Sequence, residues 1–313
     1  MLKYVAMRVL QTALVTVGVS IVAFALIHLV PGDPVRVSLG VRYDPQTAAL
    51  LRHESGLDRP LVTQYLRWAG NALHGDLGVS FRTQEPVGSA IVDRLPATLT
   101  LAFAALVVAL AIALPLGIVA AVRASSPVDY AATAVSQVGV SIPDFWIGIM
   151  LIFLVAGRWH WLPPSGYVGI GDSFTGWLSH LVLPALSVGL VSASILSRFV
   201  RAAMLEALNQ DYTRTARAKG LPRRLVVARH ALKNALPPVV TVTGLQLAYL
   251  LGGVIVVETI FAWPGLGRLA LDAAQNRDYP VLQGAILLFA LTFLVVNLVV
   301  DLIYALLDPR IAY

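Results

Sequence analysis

The sequence has no cysteine and very little charge. Because cysteine is absent from all 313 residues, disulfides, thiolate metal centres and a cysteine nucleophile are excluded. Asp, Glu, Lys and Arg make up only 13% of the chain, whereas soluble domains carry about a quarter. Hydrophobic residues account for 58%, and the mean hydropathy is +0.77. Such sparse polar surface cannot cover so much apolar area in water, so the composition predicts a membrane protein.

The residues of common catalytic and nucleotide-binding sites are also missing. The only lysines are Lys3, Lys219 and Lys233, and none stands in a G-x-x-x-x-G-K-[ST] loop, so the chain is predicted not to bind ATP through a P-loop. The six histidines have no paired metal-ligand spacing, and no serine elbow or carboxylate pair stands out. We therefore expect no catalytic residues, no metal site and no cofactor bound by this chain itself.

Six long stretches nearly free of ionisable residues are present instead. They run over 9–30, 95–122, 130–157, 173–197, 235–257 and 279–300, the last continuing to 307 and the third containing Asp144. Each is long enough to cross about 30 Å of hydrocarbon as a helix, which satisfies its own backbone polar groups in lipid. The prediction is an all-α polytopic protein with an N-terminal part and first span over 1–30, an outer segment over 31–94, and a core of five spans over 95–313.

The basic residues indicate how these spans are oriented. The net charge is +6, with 23 Lys and Arg against 17 Asp and Glu. If the N-terminus lies inside, thirteen basic residues fall in the inner segments and only Arg158, Arg268 and Arg277 in the two short outer loops. Since positive charge favours the cytoplasmic side, both termini are predicted to be inside.

The outer segment over 31–94 holds seven Arg and seven acidic residues. Asp44-Pro45 is typical of a capped helix start. A second helix is predicted from Pro60 to a stop at His74-Gly75. Its predicted apolar face comprises Val62, Tyr65 or Leu66, Ala69 and Leu73. This piece could lie at the outer mouth, in the headgroup region, or form a cap without a contact role.

The inner segment over 201–236 is predicted to form a basic helix, a sharp turn and a second helix. Asp211 can cap the first helix, Gly220 can end it in the left-handed conformation, and Pro222 can start the next. The predicted apolar face of the second helix is Leu225, Ala228, Leu232 and Leu236. Such a hairpin could contact anionic lipid, nucleic acid or an acidic groove of a partner, or simply carry positive-inside charge.

At this hairpin the chain resembles the permease subunits of ABC importers, whose inner loop reads E-A-A, three residues, glycine, nine residues, I-x-L-P. Gly220 matches the glycine, Ala216 the last residue of the triplet and Leu232 the later leucine, while Arg214 and Thr215 replace Glu and Ala. In addition, His230 replaces the isoleucine, and the proline comes later, at Pro237 and Pro238.

Further motifs narrow the resemblance to the dipeptide, oligopeptide and nickel group, specifically its DppB/OppB-like member. They are Val30-Pro-Gly-Asp-Pro34, Gly75-Asp-Leu-Gly-Val-Ser-Phe81, Leu95-Pro-Ala-Thr98, Ser141-Ile-Pro-Asp-Phe-Trp146, Arg214-Thr-Ala-Arg-Ala-Lys-Gly220, Glu258-Thr-Ile-Phe-Ala-Trp-Pro-Gly-Leu-Gly-Arg268, Arg277-Asp-Tyr-Pro280 and Asp308-Pro-Arg310. Their order covers essentially the whole chain.

The resemblance implies a type I importer permease of MetI-like fold in the cytoplasmic (inner) membrane. Such a subunit forms half of a peptide pathway with a homologous second permease, two ATP-binding subunits or domains and an extracytoplasmic binding protein. ATP would be bound by the partner subunits, and no nucleic acid is expected. The residues implied to contact the ATPase are Arg214, Thr215, Ala216, Arg217, Ala218, Lys219, Gly220, Leu221, Pro222 and Arg223.

Other candidates are polar or kinked positions. The pathway candidates are Gln137, Ser141, Pro143, Asp144, Ser187 and Ser192, with bends expected at Pro143 and Pro184. The outer gate candidates are Glu258, Trp263, Pro264, Gly265 and Gly267, placed there by the resemblance. Serine in a membrane helix more often serves packing than transport.

The alternatives concern cargo and energy source. Nickel, glutathione and haem are carried by related importers, and the sequence does not select among them. An ion-coupled secondary transporter would be expected to show two similar halves and buried charges along an ion route, and neither is evident. A membrane-tethered nucleic-acid binder is the third possibility.

Overall fold

The structure is a computed structural model that describes residues 2–29, 44–54, 58–252 and 254–307. The motifs at 30–34 and 308–310 lie outside the described residues. Within them the chain is helical, apart from loops and one isolated bridge between Val79 and Pro86. The helices are α1 Leu2–Leu29, α2 Pro45–Glu54, α3 Leu61–Leu73, α4 Val87–Val122, α5 Pro127–Ser141, α6 Asp144–Arg158, α7 Phe174–Asn209, α8 Asp211–Ala218, α9 Arg223–Leu251, α10 Ile255–Ile260, α11 Leu266–Gln275 and α12 Tyr279–Leu307.

Five of these helices are long and apolar enough to cross a bilayer. They are α1, α4, α7, α9 and α12, and the pair α5 and α6 makes a sixth passage if it counts as one broken span. The prediction of six spans is therefore confirmed in number only when this pair is counted as one.

The third predicted span consists of two helices with a sharp bend between them. Helices α5 and α6 meet at 96°. Pro143 has no amide hydrogen to continue the helix, and Ile142 before it is extended, with φ −95° and ψ 126°. The bend expected at Pro143 is confirmed. Helix α7, by contrast, continues through Pro184 without a break.

The predicted end of the fifth span is wrong. Helix α9 ends at Leu251, with Gly252 as its C-cap, rather than at Val257. Val257 belongs to the separate short helix α10, which is joined by a turn to α11. The apolar run therefore continues beyond helix α9, and two of its last residues, Val254 and Val257, are buried within the protein at 6% and 1% exposure.

The centre of the bundle is the packing of α4 on α7. Small residues on α4 allow the two backbones to approach closely. A Cβ on Gly117 would lie 2.7 Å from the carbonyl oxygen of Ser197, and one on Gly189 would lie 2.7 Å from Val108. Four alanines of α4 at helical spacing are fully or almost fully buried, namely Ala102, Ala105, Ala109 and Ala113.

Helix α1 is peripheral and packs mainly on α12. Arg8 near the start of α1 lies 3.2 Å from the carboxylate of Asp301 near the end of α12. The two helices therefore run antiparallel, which places the beginning of α1 and the end of α12 on the same side, as predicted.

The two predicted outer helices are present. The Asp44 carboxylate accepts hydrogen bonds from the Thr47 amide at 2.9 Å and the Thr47 hydroxyl at 2.7 Å. These bonds cap α2 and lower the pKa of Asp44 below its ordinary value. Helix α3 ends at Leu73, with His74 as its C-cap, followed by Gly75 at φ +85°. However, the predicted apolar face of α3 does not pack into a core: Val62 is 70% exposed and Leu66 64%.

Candidate functional site

The predicted inner hairpin begins with the eight-residue helix α8, which is anchored to the end of α7. Thr213 and Ala216 are its buried residues. The Thr213 hydroxyl donates a hydrogen bond to the Ala207 carbonyl at 2.8 Å. Asp211 is the first helical residue rather than the cap, since the N-cap is Gln210 and makes no side-chain bond. The Asp211 side chain instead lies 3.5 Å from Arg214, one turn later.

Gly220 ends this hairpin's first helix in the left-handed conformation, as predicted. Its φ is +78°, and no atom lies within 4 Å of the position that a Cβ would take. The Gly220 amide donates to the Arg217 carbonyl at 2.9 Å, and the Leu221 amide donates to the Ala216 carbonyl at 3.3 Å. Glycine is therefore needed for the backbone angle and not for space.

The turn contacts the inner ends of three spans. Pro222 precedes α9, the Arg223 guanidinium donates to the Val122 carbonyl at the end of α4, and α8 packs on both α7 and α9. The exposed surface of the turn is basic. Its exposed basic residues are Arg214, Arg217, Lys219, Arg223 and Arg224. The structure thus brings the predicted coupling residues together on one projecting helix and turn.

The predicted apolar face of the following helix is only partly confirmed: Leu232 is half-buried and packs on the bundle, whereas other members of the face are exposed. Leu225 is 37% and Leu236 38% exposed. The buried side carries Val226, Ala231 and Ala235. A π-helical stretch over Val226–Ala231 explains the difference, because its wider turn changes which positions face the bundle relative to a 3.6-residue period.

An ion pair between α5 and α7, near the hairpin, was not predicted from the sequence. The Asp129 carboxylate of α5 accepts hydrogen bonds from Arg201 of α7, at 2.5 Å from Nε and 2.7 Å from Nη2. It also accepts the Ser125 amide at 2.9 Å. Asp129 is 3% exposed, so this two-pronged ion pair fixes the inner end of α5 to α7. The available signal was a lone acidic residue in the short segment between the second and third apolar stretches.

The pathway candidates fall in two groups, and Ser192 lies apart from both. The Ser187 hydroxyl donates to the Asp144 carbonyl at 2.6 Å, so Ser187, Pro143 and Asp144 meet at the break between α5 and α6. Gln137 and Ser141 are exposed on α5, and the Ser141 hydroxyl donates to the Gln137 carbonyl at 2.9 Å. Ser192, 3% exposed, is buried elsewhere on α7. Their role in transport stays a prediction.

The outer gate candidates form a buried interlock with α4. The Thr98 hydroxyl donates to Glu258 Oε1 at 3.0 Å and accepts the Leu266 amide at 2.8 Å. The Arg268 amide donates to Glu258 Oε2 at 2.9 Å. Glu258 is fully buried. The turn over Trp263-Pro-Gly-Leu-Gly267 is therefore bound to α4. The two side chains that join them, Thr98 and Glu258, are 160 residues apart in the sequence.

Two glycines and a tryptophan complete this interlock. A Cβ on Gly265 would lie 2.0 Å from Glu258 Oε1, and one on Gly267 2.9 Å from Oε2. The Trp263 indole N–H donates to the Ala97 carbonyl at 2.9 Å. Pro264, between Trp263 and Gly265, is half-buried. The glycines are required here because the Glu258 carboxylate occupies the space beside them.

A second interlock joins two other motifs of the resemblance. The Ser80 hydroxyl donates to the Asp278 carboxylate, and the Phe81 amide donates to the same carboxylate at 3.2 Å. Ser80 and Asp278 are both buried. Both motifs are recognisable in the sequence, but no sequence pattern predicted the contact between them.

Two families of known proteins match this chain in succession. Residues 1–102 match the family "Binding-prot-dependent transport system membrane comp, N-term". Residues 113–313 match "Binding-protein-dependent transport system inner membrane component". The chain belongs to the family of binding-protein-dependent transport system inner membrane components. It is thus a permease component of ABC importers in the inner membrane, in which ATP hydrolysis is carried out by partner subunits.

Curated relatives of this permease are similar over their full length. The dipeptide transport system permease protein DppB of Escherichia coli K12 is 42% identical over 100% of this chain and 99% of its own length. The di/tripeptide transport system permease protein DppB of Pseudomonas aeruginosa UCBPP-PA14 is 43% identical with the same coverage. The glutathione transport system permease protein GsiC of E. coli K12 is 42% identical over 100% of both chains.

The fold of the permease is that of a solved importer. A chain of the inward-facing MetNI methionine ABC transporter aligns with a TM-score of 0.59 at 19% identity, over 69% of this chain and 95% of that chain. The MetI-like fold predicted from the sequence is confirmed.

Proposed function

We propose that this permease carries short peptides of two or three residues. The support is its 42–43% identity, over full length, to permeases named for dipeptides, di- and tripeptides and glutathione. Glutathione is itself a tripeptide, so one chemical class covers all three. Nickel and haem remain weaker alternatives, since no group of His, Asp and Glu that could hold a metal occurs among the described residues.

The proposed assembly contains a homologous second permease, two ATP-binding subunits or domains and an extracytoplasmic binding protein. In this assembly α8 and the turn to Arg223 form the coupling element. The supporting observation is that Thr213 and Ala216 fix α8 to the bundle while its basic side is exposed. Movement of a docked ATPase cleft would be transmitted to the inner ends of α4, α7 and α9.

The outer interlocks and the break at Pro143 are the proposed conformational elements. Closure of the ATPase subunits would swing the inner ends of the spans together, while α10 and α11 follow α4 through Glu258 and Thr98. The exposed face of α5 with Gln137 and Ser141 would then line the pathway.

A reconstituted transport assay tests the cargo. The four components are placed in proteoliposomes with ATP on the ATPase side, and uptake of radiolabelled alanylalanine is measured with glutathione, nickel and haem as competitors. We expect ATP-dependent uptake of the dipeptide. Accumulation of nickel or haem without peptide uptake would exclude a peptide cargo, and gradient-driven uptake by this chain alone would exclude the importer mechanism.

A further inference from the structure

Helix α3 turns its apolar side away from the protein. Its buried residue is Gln64, at 9% exposure, whereas Val62, Leu66 and Leu73 are 70%, 64% and 88% exposed. In an ordinary surface helix the apolar stripe packs on the core and the polar side faces water. The reversed arrangement requires another apolar environment for these side chains.

The side of α3 that contacts protein is polar and aromatic. The Tyr65 hydroxyl lies 2.8 Å from the Ser20 hydroxyl of α1, and the Gln64 side-chain oxygen lies 3.0 Å from the His28 ring. The rings of Tyr65 and Trp68 lie 5.5 and 6.0 Å from that of Phe24. Helix α3 therefore crosses α1 near Phe24.

This crossing lies within the apolar length of α1. At about 1.5 Å per residue, Phe24 is roughly 8 Å and Ser20 roughly 14 Å before the end of α1 at Leu29. In the most apolar stretch of the α1 span, no residue is buried within the protein. Its leucines and valines are largely exposed in this chain, and α3 lies beside the last third of α1.

Helix α3 has three faces rather than two. At about 100° per residue, the α1-facing side chains, the apolar side chains and the polar side chains point in directions roughly 120° apart. The apolar face comprises Val62, Leu66, Ala69 and Leu73, and the exposed polar face comprises Thr63, Arg67 and Asn71. A helix lying flat at the headgroup boundary beside a spanning helix needs this pattern: one side to protein, one to acyl chains and one to water.

We propose that α3 is an interfacial helix whose apolar face, Val62, Leu66, Ala69 and Leu73, is buried in the outer leaflet of the bilayer. Lipid fits this face better than a protein partner does, because the face carries no charge and lies beside the exposed apolar surface of α1, a helix long and apolar enough to span the bilayer. The proposal concerns anchoring of the outer segment and does not depend on which cargo is carried.

The absence of cysteine allows a direct test. Single-cysteine variants Leu66→Cys and Asn71→Cys of the full chain are reconstituted in phosphatidylcholine–phosphatidylglycerol vesicles and labelled with an environment-sensitive fluorophore. We expect the label at 66 to be quenched by lipids with brominated acyl chains and protected from aqueous iodide. The matched label at 71, on the polar face, is expected to behave oppositely.

Two results would overturn the proposal. One is equal iodide quenching at positions 66 and 71. The other is protection of position 66 that appears only after the second permease or the binding protein is added, because this would identify a protein as the occupant. Val62→Cys serves as a second probe of the same face, and a monodisperse elution profile shows that each variant is folded.

Discussion

At the scale of the residue, Gly220 is the position whose chemistry is most sharply defined. Its positive φ is unfavourable for a residue with a Cβ by about 1–2 kcal/mol. Because no atom lies near a new Cβ, a substitution acts only through the backbone.

We therefore expect Gly220→Val to abolish or strongly reduce ATP-driven uptake, while membrane insertion is unchanged. Gly220→Asn is the matched control, since asparagine adopts the left-handed conformation more readily, and it should retain more transport. Uptake and co-purification of the ATPase subunits are measured in parallel. Equal transport by Gly220→Val and the parent protein would count decisively against the coupling role.

The Asp129–Arg201 pair is the second residue-scale feature. Removing Arg201 leaves a carboxylate at 3% exposure without its strongest donor, which costs on the order of 1–3 kcal/mol. We predict that Arg201→Gln lowers the thermal unfolding temperature in detergent. The control is Arg198→Gln, one turn earlier, because Arg198 is exposed and makes no ion pair within the described part of the chain. Similar destabilisation by both variants would refute this assignment.

At the scale of the element, the turn between α10 and α11 is held by the Glu258–Thr98 contact. Thr98→Val keeps the shape of the side chain but removes the hydroxyl that donates to Glu258 Oε1 and accepts the Leu266 amide, while Glu258 Oε2 keeps its bond from the Arg268 amide. Each loss costs about 1–3 kcal/mol. We expect a lower unfolding temperature and reduced uptake.

Thr259→Val is the control for this element. Thr259 is exposed and its hydroxyl donates only within its own helix, to Ile255 at 2.7 Å. It should leave both unfolding temperature and uptake close to those of the parent protein. If Thr98→Val also leaves both the unfolding temperature and uptake unchanged, the contact between Thr98 and Glu258 does not hold the turn.

The sequence patterns predicted the ends of some helices but not always which of their faces are buried. Two of the predicted local breaks are present, since α5 ends just before Pro143 and Gly220 ends the first helix of the inner hairpin, whereas α7 continues through Pro184. The faces of helices were predicted less well. The prediction of the buried face of α9 failed in part because a π-helical stretch changes which residues face the bundle. The prediction for α3 failed because an apolar stripe in the sequence does not reveal whether protein or lipid covers it.

At the scale of the whole molecule, the orientation in the membrane stays a prediction from charge. Gly171 lies in the exposed loop between α6 and α7, and Arg224 at the start of α9, so the two are predicted on opposite sides. In intact cells, Gly171→Cys should react with a membrane-impermeant maleimide, and Arg224→Cys only after permeabilisation. The reverse labelling pattern would invert the topology.

The sequence by itself determined the class of protein and the approximate positions of the spans. Apolar runs and the distribution of a few charges suffice for that, because transfer of each segment into lipid is a local property. The collinear motifs also identified the importer permease family. These properties depend on stretches of about 20 residues.

The tertiary structure decided which distant residues meet. Thr98 with Glu258, Ser80 with Asp278 and Asp129 with Arg201 join side chains far apart along the chain. No local pattern encodes such contacts, because each depends on how α4, α7 and the outer turns pack together. The same packing leaves the apolar side chains Val62 and Leu66 of α3 exposed.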